Sequence, residues 1–376
     1  MAGKAMLLES RRRRILVRRI AIALTPVCAV ALLLFPAMPA AGLSSLGIST
    51  STAVHPSAAA TWTNLTSSLT TNPGYRATGG FAWDANLARG VLFGGYVQSY
   101  PGGPAYLTND TWTYSGSWTN ISARFSVAPS PRFIGEAMVY DAKDGYVLLF
   151  GGLSGYNSGL GDTWKFTHAG WKDLSAAVGL APSPRFGPSV TYDTATQKVL
   201  LFGGCPYIGS STCYNDTWTY SGGKWTNLSL SAGPSPRRGA QMAYDPVTKV
   251  VLLQGGVNGA GTGLSDSWLF QHGSWHKLNP KVVPPAHWLG VMTFDPARHV
   301  IIMFGGCITV GCGNDINGTW SFAFGQWTNL SGGLTHAPPT TGSTMGVYDP
   351  KTSSVIAFGG QTTSAGTLMN QTWSYG

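Results

Sequence analysis

The chain has 376 residues, of which only 10% are charged, whereas glycine accounts for 50 and tryptophan for 14. This composition suits a turn-rich protein built from β-strands and disfavours a mainly helical one. The net charge is +9, but seven of the 24 basic residues and one of the 15 acidic residues lie in the first 45 positions, which leaves 17 basic against 14 acidic residues beyond them. A nucleic-acid-binding surface is therefore not expected.

A basic segment followed by an apolar run opens the chain. Arg11 to Arg14, with Arg18 and Arg19, precede the apolar run Ile20 to Phe35, and small residues and prolines follow. This order is typical of a secretory signal peptide, and the run is shorter than the roughly 20 residues of a spanning helix. Residues 1–42 are predicted to be a signal peptide, or a transmembrane anchor if the span extends to Ile48. Either alternative puts the rest of the chain outside the cytoplasm, secreted or membrane-anchored.

A repeat of about 50 residues occupies the rest of the chain, after a Ser/Thr/Ala-rich linker over residues 43–60. Gly-Gly ends an apolar run six times, at intervals of 57, 52, 52, 50 and 54 residues. These pairs are Gly94-Gly95, Gly151-Gly152, Gly203-Gly204, Gly255-Gly256, Gly305-Gly306 and Gly359-Gly360. A period of this length indicates a ring or stack of similar units, so residues 61–376 are predicted to form one repeat domain.

Each unit contains the same four predicted strands, a to d. Strand a follows a Pro-rich turn and ends at an aromatic-Asp pair, and the apolar strand b runs into Gly-Gly. Strands c and d each carry a tryptophan. The position before strand a is Arg76, Arg132, Arg185, Arg237, His287 or Thr341. The aspartates that end strand a, from Asp84 onward, form a regular series that resembles a set of metal ligands, but an aspartate that starts a tight turn is the simpler interpretation.

Counting the strands predicts that the ring closes on itself. The sixth unit stops at strand c with Trp373, while Trp62 to Leu65 matches strand d of other units, such as Trp118 to Ile121. The N-terminal strand would therefore pair with the last unit and remove the open edge. The predicted fold is all-β, a six-bladed β-propeller of four-stranded antiparallel blades closed by its N-terminal strand.

These motifs resemble the kelch-repeat family. Gly-Gly after strand b, Asn-Asp-Thr-Trp at Asn109 to Trp112 and Asn215 to Trp218, and the strand-d tryptophan carry the resemblance, which covers about residues 61 to 376. The resemblance implies a propeller. It implies little about chemistry, because kelch propellers include both binding modules and an oxidase.

Five cysteines fit an exported protein. Cys28 lies in the apolar run, and the others form two close pairs, Cys205 with Cys213 and Cys307 with Cys312. Two local disulfides are predicted, with free thiols as the alternative. A metal site is disfavoured because neither pair has C-x-x-C spacing, and no metal or other cofactor is predicted.

The predicted binding surface is the face that carries the long, dissimilar b–c loops and the d–a loops, since variable loops on a rigid scaffold usually carry function. Residues near the pore on this face are predicted to bind: Arg76, Arg132, Arg185, Arg237, Arg238, His287 and Trp288. They would hold a carboxylate, an acidic glycan or an acidic peptide. The alternative is that the arginines brace neighbouring loops through backbone carbonyls, and repetition in every blade favours bracing for most of them.

The predicted function is an extracytoplasmic module that binds a protein or a glycan on this face, in a propeller expected to be monomeric. Contact with a membrane is expected only through the N-terminal segment. Two alternatives stay open, a propeller hydrolase, lyase or oxidase acting at the pore mouth, and a surface adhesion or coat component. No catalytic residue is assigned, because Glu136 is the main ionisable residue of the a strands and a lone carboxylate is weak evidence for a general base.

Overall fold

The computed structural model describes residues 60–135, 137–308, 316–339, 341–362 and 366–376. The predicted signal peptide or anchor lies outside these residues, as do nearly all of the linker, Glu136 and Cys312. The helices among the described residues are the three-residue 3-10 turns Thr66–Ser68, Ser122–Arg124 and Ser331–Gly333. None of them has the length or apolar character needed to cross a membrane.

Six antiparallel sheets form the fold, each with the strand order a-b-c-d. The a strands are β3 (Gly80–Asp84), β7 (Met138–Asp141), β11 (Ser189–Asp193), β15 (Gln241–Asp245), β19 (Val291–Asp295) and β23 (Met345–Asp349). The b strands are β4 (Arg89–Gln98), β8 (Tyr146–Gly155), β12 (Lys198–Phe202), β16 (Val250–Gln254), β20 (Val300–Phe304) and β24 (Ser354–Phe358). The c strands are β5 (Ala105–Tyr114), β9 (Ser158–Thr167), β13 (Thr217–Ser221), β17 (Ser267–Gln271), β21 (Thr319–Ala323) and β25 (Thr372–Tyr375).

The d strands are β6 (Trp118–Asn120), β10 (Gly170–Asp173), β14 (Lys224–Asn227), β18 (Ser274–Lys277), β22 (Gln326–Asn329) and β1 (Trp62–Asn64). One further strand, β2 (Tyr75–Ala77), pairs with the far end of β4. The predicted all-β six-bladed propeller is confirmed.

The apolar b strands form the core because both of their faces are covered by neighbouring blades. Side chains of β8 and β12, such as Leu149 and Leu201, are fully buried, and each lies in a cluster that joins two adjacent blades. This burial explains why strand b reads as a continuous apolar run instead of an alternating one. The a–b turns begin with aspartate because its carboxylate accepts backbone N–H groups of the turn, as Asp245 Oδ1 does from Val247 N at 2.8 Å.

The Gly-Gly pairs run close to the backbone at the arginine position of the next blade, since a Cβ atom on Gly151 would lie 2.8 Å from the carbonyl oxygen of Arg185. Gly151 and Gly152 have φ values of +67° and +102°, which favour glycine. A Cβ atom on Gly152 would collide with the backbone carbonyl of Phe133. The repeat therefore keeps glycine for both backbone conformation and space.

The N-terminal strand closes the ring as predicted. Strand β1 pairs with β25 in the sixth blade, with Trp62 opposite Tyr375. Trp62 Nε1 donates to Thr319 Oγ1 in the fifth blade at 2.9 Å, and each of the other five strand-d tryptophans makes an equivalent bond to the preceding blade. The six inter-blade bonds form a complete cycle around the propeller.

Candidate functional site: the loop face

The b–c and d–a connections emerge on one face of the propeller, called here the loop face. It comprises the described residues of two sets of segments, which include the ends of β4, β5, β8 and β9 beyond the Gly-Gly pairs. The d–a segments are residues 65–79, 121–137, 174–188, 228–240, 278–290 and 330–344, and the b–c segments are 96–109, 153–162, 203–216, 255–266, 305–318 and 359–371. The opposite face, made of the short a–b and c–d turns, is called the turn face. The predicted binding residues all belong to the loop face.

Four of the predicted binding arginines form paired, buried contacts inside their own blades. Their side chains are at most 2% exposed, and each guanidinium donates two parallel hydrogen bonds, of 2.6–2.9 Å, to the aspartate two residues before the strand-c tryptophan, called here the strand-c aspartate. The pairs are Arg76 with Asp110, Arg132 with Asp162, Arg185 with Asp216 and Arg237 with Asp266. This two-point geometry is the strongest form of ion pair available to arginine.

The same arginines tie the loops together through backbone groups. Arg185 Nη1 also donates to Gly203 O at 2.9 Å, and Arg132, Arg76 and Arg237 donate to the equivalent carbonyls. The backbone carbonyl at each arginine position accepts a hydrogen bond from the preceding blade. The donor is the backbone N–H of the second glycine of the Gly-Gly pair, as in the bond from Gly152 N to Arg185 O at 2.9 Å. His287 and Thr341 accept in the same way, so six such bonds encircle the propeller. The structure thus shows the bracing arrangement for these arginines.

Contacts with the arginines lower the pKa of two of the strand-c aspartates, Asp110 and Asp266. Burial opposes the charge of Asp110, but hydrogen bonds and the positive charge of Arg76 outweigh burial and lower the pKa of the carboxyl. The pKa of Asp266 is lowered in the same way by Arg237. Each aspartate also accepts a hydrogen bond from the indole N–H of the tryptophan two residues later, as Asp110 Oδ2 does from Trp112 Nε1 at 2.6 Å.

The fifth and sixth blades lack both members of the pair. The residue two before the strand-c tryptophan is Gly318 in the fifth blade and Gln371 in the sixth, where the arginine positions hold His287 and Thr341. Thr341 instead bonds to Thr344 at 2.8 Å. Sequence reasoning named the arginines and missed their aspartate partners. The signal was available, because aspartate occurs two residues before the strand-c tryptophan in each blade that has the arginine, and in neither blade that lacks it.

His287 is fully buried, and burial lowers its pKa, so it is neutral at physiological pH. Its Nδ1 lies 2.6 Å from Pro285 O and its Nε2 lies 2.9 Å from Gln241 Oε1. A neutral imidazole has one N–H, so with Nδ1–H donating to Pro285 the amide of Gln241 must turn its nitrogen toward Nε2. His287 therefore also serves as a brace between blades four and five.

Arg238 differs from the other arginines because it has no carboxylate partner among the described residues. Its side chain is 2% exposed, its Nη1 donates to Cys205 Sγ at 3.5 Å, and its guanidinium lies 5.5 Å from the ring centre of Trp288. Nε is buried without a hydrogen-bond partner, and burial lowers the pKa of the group. Trp288, Phe133 and Phe186 belong to one buried apolar cluster that joins the loop segments of several blades. A ligand role for the seven predicted residues stays a prediction.

One predicted disulfide is present on the loop face. Cys205 and Cys213 are bonded and close the b–c loop of the third blade. Cys307 is also disulfide-bonded, and its predicted partner Cys312 lies outside the described residues. No group of metal-ligating side chains occurs in the part of the chain that the structure describes, and the strand-a aspartates cap their turns.

Comparison with known proteins agrees with this geometry. Residues 88–287, which are more than half of the chain, match the family model of the KLHDC2/KLHL20/DRC7 Kelch-repeats domain. The chain belongs to the kelch-repeat family. An F-box/kelch-repeat protein of Arabidopsis thaliana, At1g51550, is 33% identical over 184 residues, which are 44% of this chain and 36% of the relative. The match thus spans about a third of that relative's length.

The solved structure of YjhT has a TM-score of 0.57 to this kelch propeller and covers 81% of it and 95% of YjhT. At 15% sequence identity, this likeness shows the shared propeller fold alone.

Exposed hydrophobic side chains of this kelch propeller concentrate on the loop face. Ten large hydrophobic residues are exposed among the described residues, and all but Val247 lie on this face. The nine are Tyr100, Tyr106, Val127, Tyr156, Leu180, Tyr207, Val282, Val283 and Ile308. Tyr100 and Tyr156 are 59% and 62% exposed.

The loop face is also almost free of exposed charge. The aspartates of its described segments are paired with arginines, and Arg124 and Lys281 are its exposed charged side chains within those segments. The turn face by contrast exposes Lys143, Lys198, Lys224, Lys249 and Lys351. The loop face instead presents tyrosine, serine, threonine, asparagine and glycine. This is the composition of antibody paratopes, which combine rigid aromatic anchors with adaptable hydrogen-bonding groups.

Proposed function

We propose that this kelch propeller is an extracytoplasmic protein-binding module and that its partner docks on the loop face. The concentration of exposed tyrosines and aliphatic side chains on one nearly uncharged face carries the proposal. Membership of the kelch-repeat family also favours protein binding as the function of the propeller. The buried arginine–aspartate pairs act as the frame that fixes the loops, and the side chains above them make the contacts.

The composition of the face favours a largely neutral partner surface. Few exposed charges are available to form rim salt bridges, so affinity is expected to come from aromatic anchors such as Tyr100 and Tyr156.

The test is to screen the purified protein against arrays of extracellular proteins and of glycans, and to repeat each hit with two variants. The double change Tyr100→Ser/Tyr156→Ser removes two exposed rings of the loop face, and Val247→Ser removes the exposed hydrophobic side chain of the turn face. We expect the double change to weaken binding at least about tenfold and the control to leave binding unchanged. Unchanged binding by the double variant would exclude the loop face, and hits confined to glycans would replace the protein partner with a saccharide.

The extracytoplasmic location is supported by the disulfide at Cys205 and Cys213 together with the basic segment and apolar run of residues 1–42. We expect Cys205 and Cys213 to resist alkylation in the protein isolated from its native cells without reductant. Fractionation should recover the protein outside the cytoplasm. Full alkylation of both thiols, with recovery in the cytoplasm, would contradict the proposal.

A further inference from the structure

The central channel of the propeller is a second candidate site, distinct from the surface of the loop face. It encloses about 410 Å³ and is lined by the a strands of all six blades. This volume falls within the range of small-molecule sites. Its described lining residues carry no formal charge, and methionines such as Met138, Met242 and Met292 contribute to its wall.

Six aromatic rings surround the channel near the turn face, one from each blade. They are Trp83, Tyr140, Tyr192, Tyr244, Phe294 and Tyr348, called here the aromatic collar, and each is the last residue before the aspartate that ends strand a. Five of the six are partly exposed although they are large and aromatic. The repeat therefore places an aromatic ring at the same height in every blade.

The tyrosine hydroxyls of the collar are engaged by the turns around them. Backbone N–H groups of Asn86, Lys143, Ala195 and Ala297 contact the hydroxyls of Tyr140, Tyr192, Tyr244 and Tyr348, and each contact is made by the preceding blade. Each of these rings also packs against the apolar core between two blades. With the hydroxyl engaged, the exposed remainder of the ring is what the tyrosine offers to a ligand in the channel. A sugar, which needs many polar partners, is less well matched by such a wall.

A ring of buried carboxylates lies directly behind the collar. Asp84, Asp141, Asp193, Asp245, Asp295 and Asp349 are each at most 8% exposed, whereas the lysines of the same turns are exposed to solvent. Arg298, which is 20% exposed, pairs with Asp295 at 2.7 Å, and Arg89 lies near Asp84, so the charges of these two carboxylates are offset. Asp141, Asp193, Asp245 and Asp349 have no arginine partner among the described residues, and solvent screens the lysines more than these buried acids. The collar beside these four therefore lies in a negative field. The collar tyrosines register this field: after burial, nearby carboxylates further raise the pKa of Tyr140, Tyr192 and Tyr244.

We propose that the aromatic collar binds a small organic cation, a quaternary or N-methylated ammonium group. Aromatic ring faces attract such cations, and the attraction grows where the cation is removed from water. The buried carboxylates add to this attraction without contacting the ligand, and the methionine-lined wall accommodates the methyl groups. This site goes beyond the proposed protein-binding function and lies toward the other face of the molecule.

The test compares choline with its neutral carbon analogue 3,3-dimethylbutan-1-ol, which has the same shape without the charge. We expect saturable binding of choline to the purified protein by calorimetry at about millimolar concentration, at least tenfold tighter than the analogue. Trp83→Leu and Phe294→Leu should each weaken choline binding about fivefold or more. These two rings carry no hydroxyl that braces a turn, and an unchanged melting temperature would show that the variants fold.

Tyr156→Ser on the loop face is the matched control and should bind choline like the unaltered protein. Equal affinity for choline and for its carbon analogue would overturn the proposal in favour of a merely apolar channel. Absence of saturable choline binding, or undiminished binding by both folded collar variants, would also overturn it.

Discussion

At the residue scale, the arginine–aspartate pairs behave as units that are kept or lost together. Arg185 is fully buried, and Asp216 is 26% exposed. Removing one partner would leave the other charge within the blade without its counter-ion, which costs about 3–5 kcal/mol for a fully buried pair and less for a partly exposed one. The sixth blade shows that Thr341 with Gln371 can occupy the same two positions.

This comparison predicts the outcome of a double-mutant cycle. Arg185→Thr and Asp216→Gln should each lower the free energy of unfolding by about 2–4 kcal/mol, and the double variant should lose at least about 1 kcal/mol less than their sum. Urea unfolding gives the free energy of unfolding of the unaltered protein, the two single variants and the double variant. The control is Lys198→Thr, which changes an exposed lysine, and its free energy of unfolding should lie within about 0.5 kcal/mol of that of the unaltered protein. Strict additivity would contradict the view that the pair is one unit.

Asp141 is the least well satisfied of the turn aspartates. Asp193 Oδ2 and Asp245 Oδ2 accept from the hydroxyls of Thr196 and Thr248, whereas the equivalent position in the second blade is Asp144. Asp141 Oδ2 is therefore buried without a partner. Burial, and secondarily the like charge of Asp144, raises the pKa of Asp141 to about 6.

The raised pKa predicts a pH-dependent stability contribution. A carboxyl whose pKa is higher in the folded state than the unfolded value of 3.8 stabilises the fold fully below that value. The contribution is lost as pH rises through about 6. Asp141→Asn should therefore gain stability relative to the unaltered protein as pH increases from about 4 to 7, measured as the difference in melting temperature. Parallel pH profiles for Asp141→Asn and the unaltered protein would refute the assignment.

The sequence predicts the arginine positions but not their aspartate partners, and the reason is physical. A repeat shows which residues recur, and it does not show which of them touch when the partners lie about 30 residues apart on another strand. The sequence points to Arg238 because it directly follows a repeated arginine. Its lack of a carboxylate partner among the described residues becomes visible only when the blades are assembled. The exposure of Tyr100 and Tyr156 likewise depends on loop conformations that do not repeat.

At the element scale, the strand pattern was predictable because every blade imposes the same burial on the same positions. The b–c loops were not, because they differ in length and composition. Strands β4 and β8 continue past their Gly-Gly pairs through bulges, whereas β12 ends at Phe202, before its own pair. These extensions shape the loop face in the first two blades.

Strand β1 offers a direct test of ring closure. Trp62 packs against Phe304 and Tyr375 at 4.7 and 5.2 Å between ring centres, and Trp171 in the second blade packs against Phe93 and Phe166 at 4.7 and 5.1 Å. Because the surroundings are equivalent, Trp62→Ala and Trp171→Ala should each lower the free energy of unfolding by about 3–5 kcal/mol. Denaturant unfolding compares them, and an unchanged midpoint for Trp62→Ala would show that closure by β1 is dispensable.

At the scale of the whole molecule, the two faces differ in chemistry although the blades repeat. The turn face exposes lysines and surrounds the channel with aromatic rings and buried acids, whereas the loop face is nearly uncharged and rich in exposed tyrosine. The six-fold frame of Gly-Gly contacts and indole bonds is shared by both, so the difference arises in the connections alone. Binding on the loop face is accordingly expected to change little with ionic strength.

The most direct measurement of the central claim is site-specific photo-crosslinking in cells that produce the protein. A photoreactive phenylalanine analogue is placed at Tyr156 on the loop face or at Val247 on the turn face, since both side chains are exposed and hydrophobic. We expect a discrete protein adduct from position 156 and none from position 247, with the adduct lost when Tyr100→Ser is added. A protein adduct formed from position 247 instead, or equally from both, would contradict the assignment of the loop face as the binding surface.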